Sequence, residues 1–165
     1  MTATKPTLYL LCGKIAAGKS TLAQRLAENE ATVLIAEDHW LAALYTDQMS
    51  TGQDYVTYAA KLRAVLAPHI VELLAAGVSV VLDFQANTVE SRAWMRGILD
   101  QADADQQLHV LSPPDEVCLS RLRARNAKGE HPFAVTEAQF HRFAKHFVPP
   151  SPEEGFNVIV HTDAM

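Results

Sequence analysis

Two glycines, a lysine and a hydroxyl stand at fixed spacing in Gly13-Lys14-Ile15-Ala16-Ala17-Gly18-Lys19-Ser20-Thr21. The run fits G-x-x-x-x-G-K-[ST], a pattern whose chemistry is the cradling of a polyphosphate. Glycines let the backbone turn where a side chain would clash, so that successive N–H groups can point inward at phosphate oxygens. Gly13, Ala16, Ala17, Gly18, Lys19, Ser20 and Thr21 are therefore the expected nucleotide contacts. Within them Lys19 would reach the β- and γ-phosphates, and the Ser20 hydroxyl would ligate Mg²⁺. The bland alternative, a chance Gly-Lys-Ser turn, does not require a strand before it and a helix after it. Both are expected here.

Other residues could complete such a site. Val78-Ser79-Val80-Val81-Leu82-Asp83 is an apolar run ending in a carboxylate, which a buried strand would deliver beside the Mg²⁺ of Ser20. Glu37 and Asp38 follow a second apolar run. At the carboxyl end of a parallel strand they would face ligand, and either could serve as base or substrate contact, Asp38 being preferred. Asp38 could also simply cap the helix after it. Arg121 and Arg125 are four apart and share a helix face, suited to spreading over a transferring phosphoryl group. The alternative is a solvated basic face. Arg123 lies off it. Arg92, one turn into another helix, points either at substrate or at solvent.

The elements that must hold these groups alternate. Residues 8–12 read as a buried strand, and 22–27 carry apolar residues at helical spacing. A second strand is expected over 31–36, a helix over 39–44, and a polar loop over 46–54, in which Asp54 caps the next helix. The helical stretch 55–76 contains Pro68, which should break or kink it, and ends at Gly77. After the strand closed by Asp83, Thr88 opens a helix with Trp94, Ile98 and Leu99. Leu108 to Leu111 is a fourth strand, and Pro113-Pro114-Asp115 starts the helix of Arg121 and Arg125. The breaker run 128–133 suggests a lid, so a lid-like segment is expected around 121–135. Thr136 and Glu137 open a helix with Phe140, Phe143 and Phe147, which read as core. A final strand is expected over 156–160.

Composition narrows the class. The chain has 165 residues, nearly half apolar and a fifth charged, with net charge −5. That suits one domain, 1–165, with a sizeable core, and disfavours a general nucleic-acid binder without excluding a nucleic-acid partner. Cys12 and Cys118 form no C-x-x-C pair and suit a reducing cytoplasm. Residues 1–6 lack the apolar core of a signal peptide, and no apolar run is long enough to span a membrane. Seven histidines are scattered without metal-ligand spacing. His39 and His131 fall near the proposed site. The oligomeric expectation is a monomer or homodimer.

Taken in order, Gly13 to Thr21, Glu37-Asp38, Asp83 and Arg121 to Asn126 resemble the small P-loop kinases of the AAA_33 or zeta-toxin-like set, which includes polynucleotide kinase and chloramphenicol phosphotransferase. The Phe147 to Phe156 segment is similar to this set as well. The resemblance implies an α/β P-loop NTPase fold, a three-layer α/β/α sandwich with a five-stranded parallel sheet of order 2-3-1-4-5. It also implies ATP and Mg²⁺ as ligands, and phosphoryl transfer to a hydroxyl, with a small molecule as the favoured acceptor. A 5′-hydroxyl nucleic-acid or nucleotide kinase and an ATPase switch are the alternatives. Two departures stand out. Such kinases often carry an arginine three residues after the aspartate following strand two, where this chain has Leu41. The lid arginine of polynucleotide kinase falls near Lys128 or Gly129.

Overall fold

The computed structural model describes residues 4–129 and 134–162. Five strands form one sheet, β1 (Thr7–Gly13), β2 (Thr32–Ala36), β3 (Ser79–Asp83), β4 (Asp105–Leu111) and β5 (Val158–His161). Every pairing is parallel and the order is β2-β3-β1-β4-β5. The central β1 is flanked by β3 and β4, so successive strands leave on opposite sides of it. The crevice beyond the carboxyl ends of strands at such a reversal is where ligands bind in open α/β sheets.

Both faces of the sheet are covered, because side chains alternate across a strand. Leu8, Leu10 and Cys12 of β1, with Val80 and Leu82 of β3, meet three helices: α2 (Glu37–Tyr45), α3 (Gly52–Ala75) and α4 (Val89–Leu99). Leu11 and Val81, one residue out of phase, meet α1 (Lys19–Ala27), α5 (Asp115–Lys128) and α6 (Glu137–Ala144). The three-layer sandwich follows from that phase. Covered on both faces, β1 and β3 are apolar through their middles, at Leu10 to Cys12 and Val80 to Leu82, as a parallel sheet requires.

Several local expectations are corrected. Pro68 does not divide the long helix: α3 runs unbroken through it for 24 residues. Ala59, Leu62, Leu66, Ile70 and Leu74 are buried along one stripe, whereas Pro68 and Ala64 are exposed. The carbonyl that loses its N–H partner is therefore open to water, and packing of the stripe outweighs the missing bond. The cap of α3 is Thr51, with Asp54 as the reciprocal partner three residues on. Asp38 does not cap α2. The helix starts at Glu37 with Ala36 at the cap, so both carboxylates lie in its first turn. β4 begins three residues before the expected strand, and β5 is displaced toward the carboxyl terminus. Thr88 and Thr136 cap α4 and α6 through their hydroxyls. The core of the lid-like segment, 130–133, lies outside the described residues, as does His131. No helix among the described residues is long and apolar enough to cross a membrane.

Candidate active site

The loop between β1 and α1 is shaped by two glycines and one lysine. A Cβ on Gly13 would sit 2.8 Å from the Leu111 carbonyl oxygen of β4, so β1 can pair there only without a side chain. Gly18 precedes α1 with φ 106°, in the left-handed region, and Ala16 also has positive φ, 63°. The buried Lys19 folds back, its Nζ donating to the carbonyls of Gly13 at 2.6 Å and Lys14 at 2.8 Å. Burial lowers its pKa to about 8, against the opposing pull of Asp83.

A cleft of about 730 Å³ opens beyond the carboxyl ends of β1, β2 and β3. The loop residues Ala16, Gly18, Lys19, Ser20 and Thr21 line it, while Gly13 and Ala17 lie beneath. Ser20 Oγ donates to Asp83 Oδ2 at 2.8 Å. Register explains the meeting: β1 pairs with β3 as Leu10 to Leu82, which sets the end of β3 beside the start of α1. Burial pushes the Asp83 carboxyl up, opposed by the Ser20 bond and the Lys19 charge.

On one wall, the first turn of α2 presents Glu37 and Asp38. Successive helical positions point in different directions, and the two carboxylates find different surroundings. Glu37 is buried and holds Arg63 of α3, its Oε2 accepting from Nε at 2.8 Å. Burial raises its pKa, and the guanidinium works against that. Asp38 Oδ1 accepts from the Tyr55 hydroxyl at 3.1 Å, and the same hydroxyl lies 3.5 Å from Glu37 Oε1. Burial and the two carboxylates push the Tyr55 phenol up, so it stays a donor. Arg63 in turn lies over the rings of Phe84 and Trp94. Across the cleft, α5 presents Arg121 and Arg125. Arg121 Nη1 reaches the Ala16 carbonyl at 3.4 Å. Among the described residues Arg125 Nε is buried without a hydrogen-bond partner. Burial lowers the pKa of Arg125, and the negative charge of Asp38 opposes the shift. Arg123, off this face, pairs with Glu137 of α6.

Arg92 is not brought to the cleft. It is fully buried, with Nε on Glu154 at 2.7 Å and Nη1 on the carbonyls of Ala86 and Val148 at 2.9 and 2.7 Å. The expectation that it touches substrate is corrected: the inward face of α4 meets the segment before β5, and Arg92 ties the two together. Of the three phenylalanines, Phe140 is core, but Phe143 is half exposed and lines the cleft.

Sequence reasoning missed Tyr55, Arg63 and Asn87. The Asn87 amide brackets Gly13, its Oδ1 accepting from the Gly13 N–H and its Nδ2 donating to the Gly13 carbonyl, both at 2.8 Å. An Asn four residues after Asp83 was the available signal, since β3 and β1 are adjacent. For Tyr55 the only signal was an aromatic hydroxyl in the first turn of a helix.

Among the described residues no group of three or more His, Cys, Asp or Glu could hold a metal by itself. A cation at Ser20 and Asp83 would need further ligands from a bound phosphate or water, which is usual for Mg²⁺.

No curated protein matches the chain. Among solved structures, a protein of Chloroflexus aurantiacus provisionally assigned as a kinase is 19% identical, covering 98% of this chain and 87% of its own, with TM-score 0.77. A sugar kinase from Janibacter sp. HTCC2649 is 18% identical over 96% and 86% of the two chains, with TM-score 0.62. The APS kinase CysC of Mycobacterium tuberculosis, solved with AMPPNP and APS, is 21% identical over 76% of each, with TM-score 0.54. These likenesses show a kinase-type P-loop fold. The sequence profile of the AAA_33 family, an AAA domain, matches residues 8–150, and the chain therefore belongs to AAA_33.

Proposed function

We propose that the protein is an ATP- and Mg²⁺-dependent kinase that transfers the γ-phosphate to a hydroxyl of a small molecule. One observation carries the reading: a phosphate-binding loop, the Asp38 carboxylate and a guanidinium with a buried, unsatisfied Nε line one cleft. The site fits a triphosphate. α1 begins with no side-chain cap and no acidic residue in its first turn, which leaves its positive end for phosphate. The orphaned Arg125 Nε would gain an acceptor from a bound anion.

In this reading Lys19 and the loop amides hold the phosphates, and Arg121 and Arg125 spread over the charge that develops on the transferring group. Ser20 and Asp83 would hold Mg²⁺, which when bound would supply charge neutralisation to the triphosphate. Asp38 orients the acceptor hydroxyl and takes its proton as the oxygen–phosphorus bond forms and the bond to ADP breaks. Tyr55 fixes the Asp38 rotamer. Glu37, engaged by Arg63, anchors the turn.

The test measures ADP and inorganic phosphate together, with a panel of hydroxyl compounds. ADP formed in excess of phosphate, and only when an acceptor is present, is the expected result. Equal amounts formed without acceptor would make the protein an ATPase. Arg121→Ala with Arg125→Ala should lower turnover by about 10³-fold with little change in ATP affinity.

A further inference from the structure

The acceptor's charge can be read from where the cations are. The chain has 14 lysines and arginines, and none falls in 1–3, 130–133 or 163–165. All are therefore in described parts of the structure. Three of them line the cleft, Lys19, Arg121 and Arg125, and a bound triphosphate would engage all three. Five others are in ion pairs, Lys5, Lys14, Arg63, Arg92 and Arg123. Arg96 rests on Phe156 and Lys61 on Tyr58. Arg25, Lys128, Arg142 and Lys145 are not among the cleft residues.

The α2–α3 wall is different. It contributes Glu37, Asp38, His39, Gly52, Tyr55 and Val56, with no lysine or arginine. The nearest cation behind it, Arg63, is committed to Glu37 and lies against the rings of Phe84 and Trp94. The positive end of α2 would itself attract an anion, but Glu37 and Asp38 already occupy its first turn. A triphosphate with its metal remains net negative, so its arrival makes the cleft less receptive to a second anion.

We infer that the acceptor is a hydroxyl compound that is uncharged or carries an amino group, and that it bears no phosphate or carboxylate. The inference rests on the kinase reading and extends it to substrate class. An anionic acceptor group held within about 5 Å of Asp38 would suffer repulsion equivalent to roughly 100-fold in affinity at an intermediate effective dielectric. An ammonium at the same place would gain. This charge selection separates the acceptor from nucleotides and from nucleic-acid ends, whose neighbouring phosphates would need a cation on this wall.

The experiment offers acceptors in matched pairs at pH 8. Glucose is set against glucose 6-phosphate, glucosamine against glucosamine 6-phosphate, and uridine against uridine 3′-phosphate. A 5′-hydroxyl oligonucleotide is set against its free 5′-nucleoside. The readout is ADP formed in excess of phosphate. In every pair that turns over, the unphosphorylated member should have the higher kcat/KM, by at least about 10-fold. Val56→Arg, which puts a cation on the exposed edge of this wall, should narrow that ratio. A phosphorylated member equal to or better than its partner overturns the inference and leaves the kinase reading standing. A Val56→Arg variant whose ratio is unchanged also overturns it, because charge on this wall would then not select. ADP and phosphate formed equally across the panel overturn both readings.

Discussion

Replacing Arg92 by methionine should destabilise the fold and spare nucleotide binding. The guanidinium is fully buried and serves four acceptors: Glu154 Oε1 and the carbonyls of Ala86, Val148 and Pro149. Methionine keeps much of the volume and removes every donor. Breaking a buried ion pair costs about 3–5 kcal/mol, chiefly through the partner left behind. Glu154 is not fully buried and keeps a bond from the Ser151 amide, so water can rescue it in part. Val148 and Pro149 are exposed and their carbonyls can also rehydrate, but Ala86 is buried and its carbonyl cannot. The lower end, about 3 kcal/mol, is expected. In a chain of this length that lowers the thermal midpoint by roughly 6–12 °C. Thermal and urea unfolding followed by circular dichroism measure it. Calorimetry below the transition should find ATP affinity within about threefold of wild type, because 92 is no cleft residue. A pH series adds a second handle. Burial alone would raise the Glu154 pKa, but the bonds from Arg92 and Ser151 outweigh it and hold the carboxyl below its usual 4.5. The stability this contributes is complete above about pH 4.5 and is lost as pH falls through the lower folded pKa. The variant should lose less than wild type over that acid range. An unchanged unfolding midpoint with a tenfold loss of ATP affinity would refute this reasoning and return Arg92 to the substrate.

Asp38→Asn should keep ATP affinity and lose acceptor phosphorylation by about 10²-fold or more, whereas Glu37→Gln should mainly lower stability through its lost pairing with Arg63; the reverse ranking in turnover would move the base to Glu37. Asp83→Asn should raise the Mg²⁺ concentration needed for half-maximal turnover, and an unchanged Mg²⁺ titration would separate Asp83 from the cation. His109 is buried, its Nδ1 2.9 Å from His161 Nε2 across β4 and β5. Burial, and then the His161 charge, lower its pKa from 6.5 to about 4. The unfolded chain therefore binds the proton more readily, and stability should fall by on the order of 2 kcal/mol as pH drops from 6.5 toward 4. His109→Gln should flatten that limb in urea titrations, and an equally steep limb in the variant would show that other groups cause it.

Nine contiguous residues, 13–21, were enough to announce a phosphate-binding loop, because its chemistry is local. Turn, amide cradle, lysine and hydroxyl are all set within one strand–loop–helix unit. The short apolar runs at 8–12, 31–36 and 78–83 were legible as buried strands for the same reason. The strand order came through resemblance rather than from any residue pattern, since nothing local says which edge a strand joins. Tertiary structure decided the fate of single polar side chains. Glu37 and Asp38 are adjacent in sequence and equal in type, yet the docking of α3 gives Glu37 the guanidinium of Arg63, 26 residues away, and sets the Tyr55 hydroxyl, 17 residues from Asp38, between the two carboxylates and nearer Asp38. Arg92 is drawn inward by Glu154 at a separation of 62, and Asn87 reaches Gly13 across 74. Pro68, a local signal for a break, yielded to an apolar stripe packed along the whole of α3. A charged or amide side chain takes its role from the acceptor nearest to it in space, and in a parallel sheet that acceptor is set by strand register and helix docking, which are long-range in the chain.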